Sequence, residues 1–427
     1  MQFKKTILKN GLRLITAPMK ETNTVTVIVT VAAGSKYENK KNNGISHFLE
    51  HMFFKGTKKR SKTKDIAEAL DAVGGEYNAY TSQESTAYFA KVDKEHIGLA
   101  IDVVSDMFLN SKIDPKEIEK ERGVILQEIN MYEDTPMLAV QEEFEHLLYG
   151  DQPAGWKVIG TKENIAQLGR KDFVDYMKNF YTAKNTVVSV VGNFGKIGES
   201  GVIRGIEKIF SKMKKGEENK KVQTNEKQTK PELKIKHKKT DQTHLVLGFR
   251  SYDMFHKDRF ALALLANILG GTMSSRLFLS VRERLGLAYY ISANDDESSD
   301  CGYFSVRAGV DTDRAKIEKT VKTILVEIAK IRARGVGEKE LKKAKDNFRG
   351  KLALSLESSD EVASFLAGQE LGRRKIKRPE EIMSQIDKVK RSDILKVARN
   401  IFVNEKLNLA LIGPIEDKDF LVKLLKL

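Results

Sequence analysis

The chain repeats itself, and that limits the folds open to it more than any single motif. RKDFVDYMKNFYTAKNTVVSVVGNF, Arg170 to Phe194, can be laid over RSDILKVARNIFVNEKLNLALIGPI, Arg391 to Ile415, at a constant register of 221 residues. The alignment matches Arg170 with Arg391, Asp172 with Asp393, Asn179 with Asn400 and Gly192 with Gly413. Each copy reads as a capped helix, a short connection and an apolar strand ending at glycine. Earlier, Thr24 to Gly34 alternates valine with mostly threonine, and its counterpart is Thr243 to Arg250. Tyr88-Phe89 likewise finds Tyr303-Phe304, and an amphipathic helix follows in both halves (Ala100 to Leu109; Ala315 to Ile331). Strands and helices mix without a strict βαβ rhythm. The expected fold is therefore α+β, with two similar halves, each a largely antiparallel sheet with helices packed on it.

The stretch KKGEENKKVQTNEKQTKPE, Lys214 to Glu232, has one apolar side chain, Val222, apart from its proline, and reads as a linker. It suggests domains at 1–213 and 233–427 joined by 214–232. The formal charge is +15, but the lysines are spread along the whole chain and no interleaved aromatics accompany them, which disfavours nucleic-acid binding. One cysteine, Cys301, excludes an intramolecular disulfide framework and fits a reducing compartment. No stretch approaches the roughly 18 apolar residues of a spanning helix. The N-terminal MQFKKTILKNGLRLITAP lacks an apolar signal core. A cytoplasmic protein without membrane attachment is the expectation.

The sharpest local pattern is HFLEH, His47 to His51. A helix stacks residues i and i+4 on one face, so His47 and His51 can turn their imidazoles toward one point. Glu50, beside His51, can then reach a metal-bound water without being a ligand, in the H-x-x-E-H order of an inverted zinc-peptidase motif. Imidazoles with an open position favour zinc over calcium or magnesium.

A catalytic zinc normally has three protein ligands. The segment DPKEIEKERGVILQEIN, Asp114 to Asn130, reads as a helix with Asp114 as cap, Pro115 at its first position and Glu117 at capping-box spacing. Glu121 and Glu128 are seven apart, two turns along one face that also carries apolar residues. A partly buried carboxylate there needs a partner, either a metal or a histidine that holds one. Spacing leaves open which of the two is the ligand.

HFLEHMFFKGT, with 76 residues intervening between His51 and Glu128 in ERGVILQE, resembles the pitrilysin or inverzincin family of zinc peptidases, and within it the processing-peptidase subfamily. The resemblance covers nearly the whole length. It implies one zinc per chain held by His47, His51 and Glu128, with Glu50 as general base and Glu121 as the acid behind the ligands. NAYTSQESTAYF, Asn78 to Phe89, resembles the family's edge strand, to which substrate adds as a further strand, with Asn78 and Ala79 as the contact positions. SSRLFLSVRERLGLAYYISA, Ser274 to Ala293, carries Arg282 and Tyr289, which correspond to an Arg/Tyr pair that holds substrate and steadies the oxyanion. Without the resemblance they would read as a helix-surface arginine and a core tyrosine.

Aligning Tyr88 with Tyr303 puts Leu262, Leu265 and Ala266 at the three motif positions of the second half, which therefore lacks its own metal set. The glycine-rich loop of the family's non-catalytic subunit is reduced to Gly270-Gly271. The resemblance implies a zinc endopeptidase that cleaves extended or unfolded peptides inside the chamber of a homodimer. A non-catalytic peptide-binding partner subunit is the alternative, but its signature would be a broken ligand set.

Overall fold

The structure, a computed structural model, describes residues 1–427. β1 (Lys4–Ile7), β2 (Arg13–Pro18), β3 (Thr24–Val31), β4 (Glu76–Thr81), β5 (Thr86–Asp93) and β6 (Thr186–Gly192) form one sheet in the order β1-β2-β6-β3-β5-β4. β7 (Glu232–His237), β8 (Thr243–Arg250), β9 (Ala288–Glu297), β10 (Gly302–Val310) and β11 (Leu407–Gly413) form a second in the order β7-β11-β8-β10-β9. With β1 set aside, the two orders are the same. Each sheet has one parallel pair, β2 with β6 and β7 with β11, and is otherwise antiparallel. The expected α+β architecture of two similar halves is present.

The 221-residue repeat holds down to individual bonds. Helices Arg170–Phe180 and Arg391–Ile401 begin and end in register, as do β6 and β11. Asp172 accepts the backbone N–H of Gly169 at 2.9 Å and Asp393 that of Lys390 at 2.8 Å, so the same aspartate reaches back to cap each helix. Arg170 Nε donates to Ile113 O at 3.0 Å, and Arg391 Nε to Val336 O at 2.7 Å. A Cβ at Gly192 would lie 2.3 Å from Thr24 O, and one at Gly413 2.6 Å from Thr243 Oγ1. At Gly192 the obstacle is backbone and φ is +126°, so the position calls for glycine; at Gly413 the neighbour is the Thr243 side chain.

The compact units are interleaved in sequence. One comprises Met1–Ile129, Lys157–Val222 and Leu352–Pro379; the other comprises Asn130–Trp156, Gln223–Lys351 and Glu380–Leu427. Each sheet thus receives a helix from the opposite half of the chain. In the first unit, Val362, Ala363, Leu366 and Ala367 of helix Ser359–Arg373 pack on Ile15, Ile28, Val187 and Val191. Ser359 Oγ lies 2.8 Å from Thr26 Oγ1, so the threonine face of β3 is covered too. In the second unit, Val140 and Phe144 of helix Pro136–Tyr149 pack with Val246, Ala410 and Ile412.

The polar stretch 214–232 carries no regular element before β7 begins at Glu232, yet it is tied down. Lys214 O and Lys215 O accept from the N–H groups of Ala183 and Lys184, and Asn219 Nδ2 donates to Ala32 O at 2.6 Å. No helix is long and apolar enough to cross a membrane.

Candidate metal centre

The HFLEH residues lie on helix Ile45–Met52. Ile45, Phe48, Leu49 and Met52 are fully buried and pin one face to the core, which turns His47, Glu50 and His51 to the other. The N-terminus of the helix is fixed from outside. Glu38, 3% exposed, accepts the backbone N–H groups of Gly44 and Ser46, each at 2.8 Å, and Asn43 Nδ2 at 3.0 Å. A carboxylate there satisfies donors that a helix start leaves open, and it complements the positive end of the dipole. Burial pushes the Glu38 carboxyl above its usual range despite the hydrogen bonds from Ser46, Gly44 and Asn43. No spacing rule connects residue 38 to residues 44 and 46, so sequence reasoning missed it.

The helix expected over Asp114 to Asn130 runs from Pro115 to Asp134, with Asp114 accepting the N–H of Lys116 at 2.8 Å. Glu117 turns to Lys120 Nζ (2.6 Å) rather than completing a capping box. Glu121 and Glu128 differ sharply in what they face. Glu128 Oε1 is 3.6 Å from His47 Nε2, and its Oε2 is 3.4 Å from His51 Nε2. Glu121, 6% exposed, takes the opposite nitrogen: its Oε1 is 2.8 Å from His51 Nδ1 and its Oε2 is 2.6 Å from Lys55 Nζ.

Donor atoms of His47, His51 and Glu128 all lie within 4.8 Å of one another. Ligand atoms about 2.0–2.1 Å from a tetrahedral zinc are about 3.3 Å apart, so the contacts of Glu128 with both imidazoles match a zinc site with small adjustment. The donor types, two imidazoles and one carboxylate, suit the same ion. With a metal bound at Nε2, the hydrogen bond to Glu121 would keep the His51 proton on Nδ1 and so hold the ring in the ligating tautomer.

The charges agree with this arrangement. Burial alone would lower His51, but hydrogen bonds to Glu121 and Glu128 overcome it and lift the imidazole to about 9. Hydrogen bonds from His47 and His51 hold Glu128 at about 2 against its own burial. A field that grips a proton this firmly also favours a divalent cation.

Glu50 stands beside the cluster but outside it: its Oε2 accepts from Thr81 Oγ1 at 2.5 Å. Thr81 ends β4, which pairs only with β5 and is an edge of its sheet, as expected of the Asn78–Ala79 segment. Asn78 is exposed and Ala79 half-buried.

Arg282 and Tyr289 belong to the second unit. Arg282 lies in a π-helical turn, Phe278–Glu283, with its guanidinium 4.9 Å above the Phe278 ring and 5.9 Å from the Tyr289 ring. Tyr289 sits on β9, an edge strand, and is 74% exposed. It is therefore no core tyrosine, and its ring lies within cation–π reach of the Arg282 guanidinium. Leu262, Leu265 and Ala266 are buried on helix Arg259–Gly270, with no donor among them.

Residues 13–162 match the profile of insulinase (peptidase family M16), and residues 167–348 match that of the peptidase M16 inactive domain. The chain belongs to peptidase family M16. An uncharacterized zinc protease of Bacillus subtilis is 36% identical over 96% of this chain and 98% of its own length. One from Rickettsia felis is also 36% identical, over 97% and 98%. Among solved structures, a protease from Helicobacter pylori superposes with a TM-score of 0.89 at 25% identity, covering 97% of this chain and 99% of that one. A chain of complex III2 from Candida albicans, at 17% identity over 99% of this chain and all of that one, reaches 0.85 and shares the fold.

Proposed function

We propose that this M16 protein is a zinc-dependent endopeptidase acting on extended peptides, with one zinc per chain held by His47, His51 and Glu128. The observation that carries the reading is the approach of Glu128 to the Nε2 atoms of both histidines at near-zinc separations, with Glu50 alongside and not among the donors. Family relatives called zinc proteases support it.

Zinc, when bound, would polarise the scissile carbonyl and lower the pKa of a water toward about 7. Glu121 keeps His51 in the ligating tautomer, and Lys55 neutralises Glu121 from the far side. Glu50 takes a proton from the attacking water and passes it to the leaving amine. β4 receives the peptide as an added strand along Asn78 and Ala79, where main-chain groups bind with little regard for side chains. The opposite edge, β1, is only four residues long and carries exposed Lys4 and Lys5, which discourage strand addition.

Arg282 and Tyr289 steady the developing oxyanion. Because one chain carries both sets, the reading assigns the working form to a homodimer that encloses unfolded peptide in the cytoplasm.

The test is zinc content together with cleavage of a quenched peptide, in the wild type and in Glu50→Gln. The wild type should hold about one zinc per chain, as a three-ligand site requires, and cleave. The zinc-loaded variant should cleave about 10²- to 10⁴-fold more slowly. Absence of zinc after supplementation contradicts the reading.

A further inference from the structure

The Thr81 hydroxyl is the only group that hydrogen-bonds the Glu50 carboxylate, donating to Oε2 at 2.5 Å. Thr81 lies two residues beyond Ala79 on the open edge strand, so the two side chains share the face of β4 that meets helix Ile45–Met52. The strand fixes where the hydroxyl can stand, because Thr81 is also the last residue paired with β5, opposite Thr86.

A glutamate carboxylate turns easily about its terminal torsion, whereas a β-branched threonine is stiff at χ1. A rigid donor on Oε2 therefore stops that rotation and leaves Oε1 as the oxygen free to accept a proton. We infer that Thr81 is a positioning residue: it orients Glu50 for proton transfer and couples that orientation to the strand on which the peptide lies. The inference rests on the peptidase reading, in which Glu50 is the base. It adds a residue to the machinery and states which carboxylate oxygen does the work.

Valine matches threonine in shape and suits a strand, so Thr81→Val removes the donor and little else. In the zinc-loaded enzyme, kcat should fall about 10- to 100-fold, the scale of one hydrogen bond to a charged group. KM and zinc content should stay near wild type, and Thr81→Ser, which restores a hydroxyl, should recover most of the rate. Should valine disturb the hairpin, Thr81→Ala removes the same donor without bulk. A wild-type kcat in Thr81→Val, a change confined to KM, or a serine variant as slow as valine overturns the inference.

Failure of the peptidase reading would look different, because the wild type itself would cleave nothing. Crystal structures of wild type and Thr81→Val then decide: the Glu50 carboxylate should hold its orientation in the first and turn in the second. An unmoved carboxylate overturns the role assigned to Thr81.

Discussion

Helix Ile45–Met52 and helix Arg259–Gly270 occupy the same place in their units, each against an edge strand, β4 for one and β9 for the other. At matched positions the first carries His47, Glu50 and His51, and the second Leu262, Leu265 and Ala266. The apolar triad is held by burial alone. The polar triad is held by groups brought from elsewhere in the chain: Glu38 at the helix start, Glu121 and Lys55 behind His51, and Thr81 on Glu50. Polar side chains that stay accessible cannot be packed into place like leucines, so the first helix needs a polar scaffold that its apolar twin does without.

The comparison breaks most readily at Glu50. Glu50→Gln should lower kcat by about 10²- to 10⁴-fold, the usual worth of a general base, with zinc retained. A loss of zinc in parallel would make Glu50 a ligand and undo the division of roles within the helix.

At the matched position of the second half, Leu265→Ala should lower stability by about 2–5 kcal/mol, because it opens a cavity in a closed core. Denaturant unfolding would read the loss, and zinc content should not change. Behind the ligands, Glu121→Gln should weaken zinc by about 10- to 100-fold, measured by chelator competition, since His51 then loses the partner that orients it.

pH sharpens the same point. His51 is raised from 6.5 to about 9 in the metal-free protein, so its stabilising contribution is complete below about pH 6.5 and fades as pH rises through about 9. Glu128 is lowered from 4.5 to about 2, so its contribution is complete above about pH 4.5 and fades as pH falls through about 2. The metal-free site should therefore be held most firmly between about pH 4.5 and 6.5. Zinc must displace the His51 proton, so its affinity should climb with pH and level off above about 9. An affinity independent of pH over that range contradicts the coupling.

The smallest expected effect tests the duplication. Asp172→Ala and Asp393→Ala remove equivalent bonds to the N-caps of equivalent helices and should each cost about 1 kcal/mol. Thermal melts that differ widely between the two would show that the halves share a pattern but not its energetics.

Much of this was legible in the residues. The 221-residue register foretold two matched helix–strand units, because local periodicity and caps survive in sequence even where residues diverge. The i, i+4 histidines were legible for the same reason: helical spacing is a local rule. Glu121 and Glu128 were not separable, since both lie on one helix face and only the fold shows which imidazole nitrogen each meets. Thr81 and Glu38 left no trace, because each acts through a bond that chain folding makes and no spacing encodes. The exchange of helices Ser359–Arg373 and Pro136–Tyr149 was equally silent. An amphipathic helix advertises an apolar face but not the sheet that will cover it.

The most direct measurement is X-ray absorption at the zinc edge on the loaded wild type, with metal stoichiometry on the same sample. The account predicts one zinc per chain in a shell of nitrogen and oxygen at about 2.0–2.1 Å, two of the ligands imidazoles, and loss of that shell in His51→Ala but not in Leu265→Ala. A sulfur ligand from Cys301, a shell without imidazole, or zinc that stays in place in His51→Ala would contradict it.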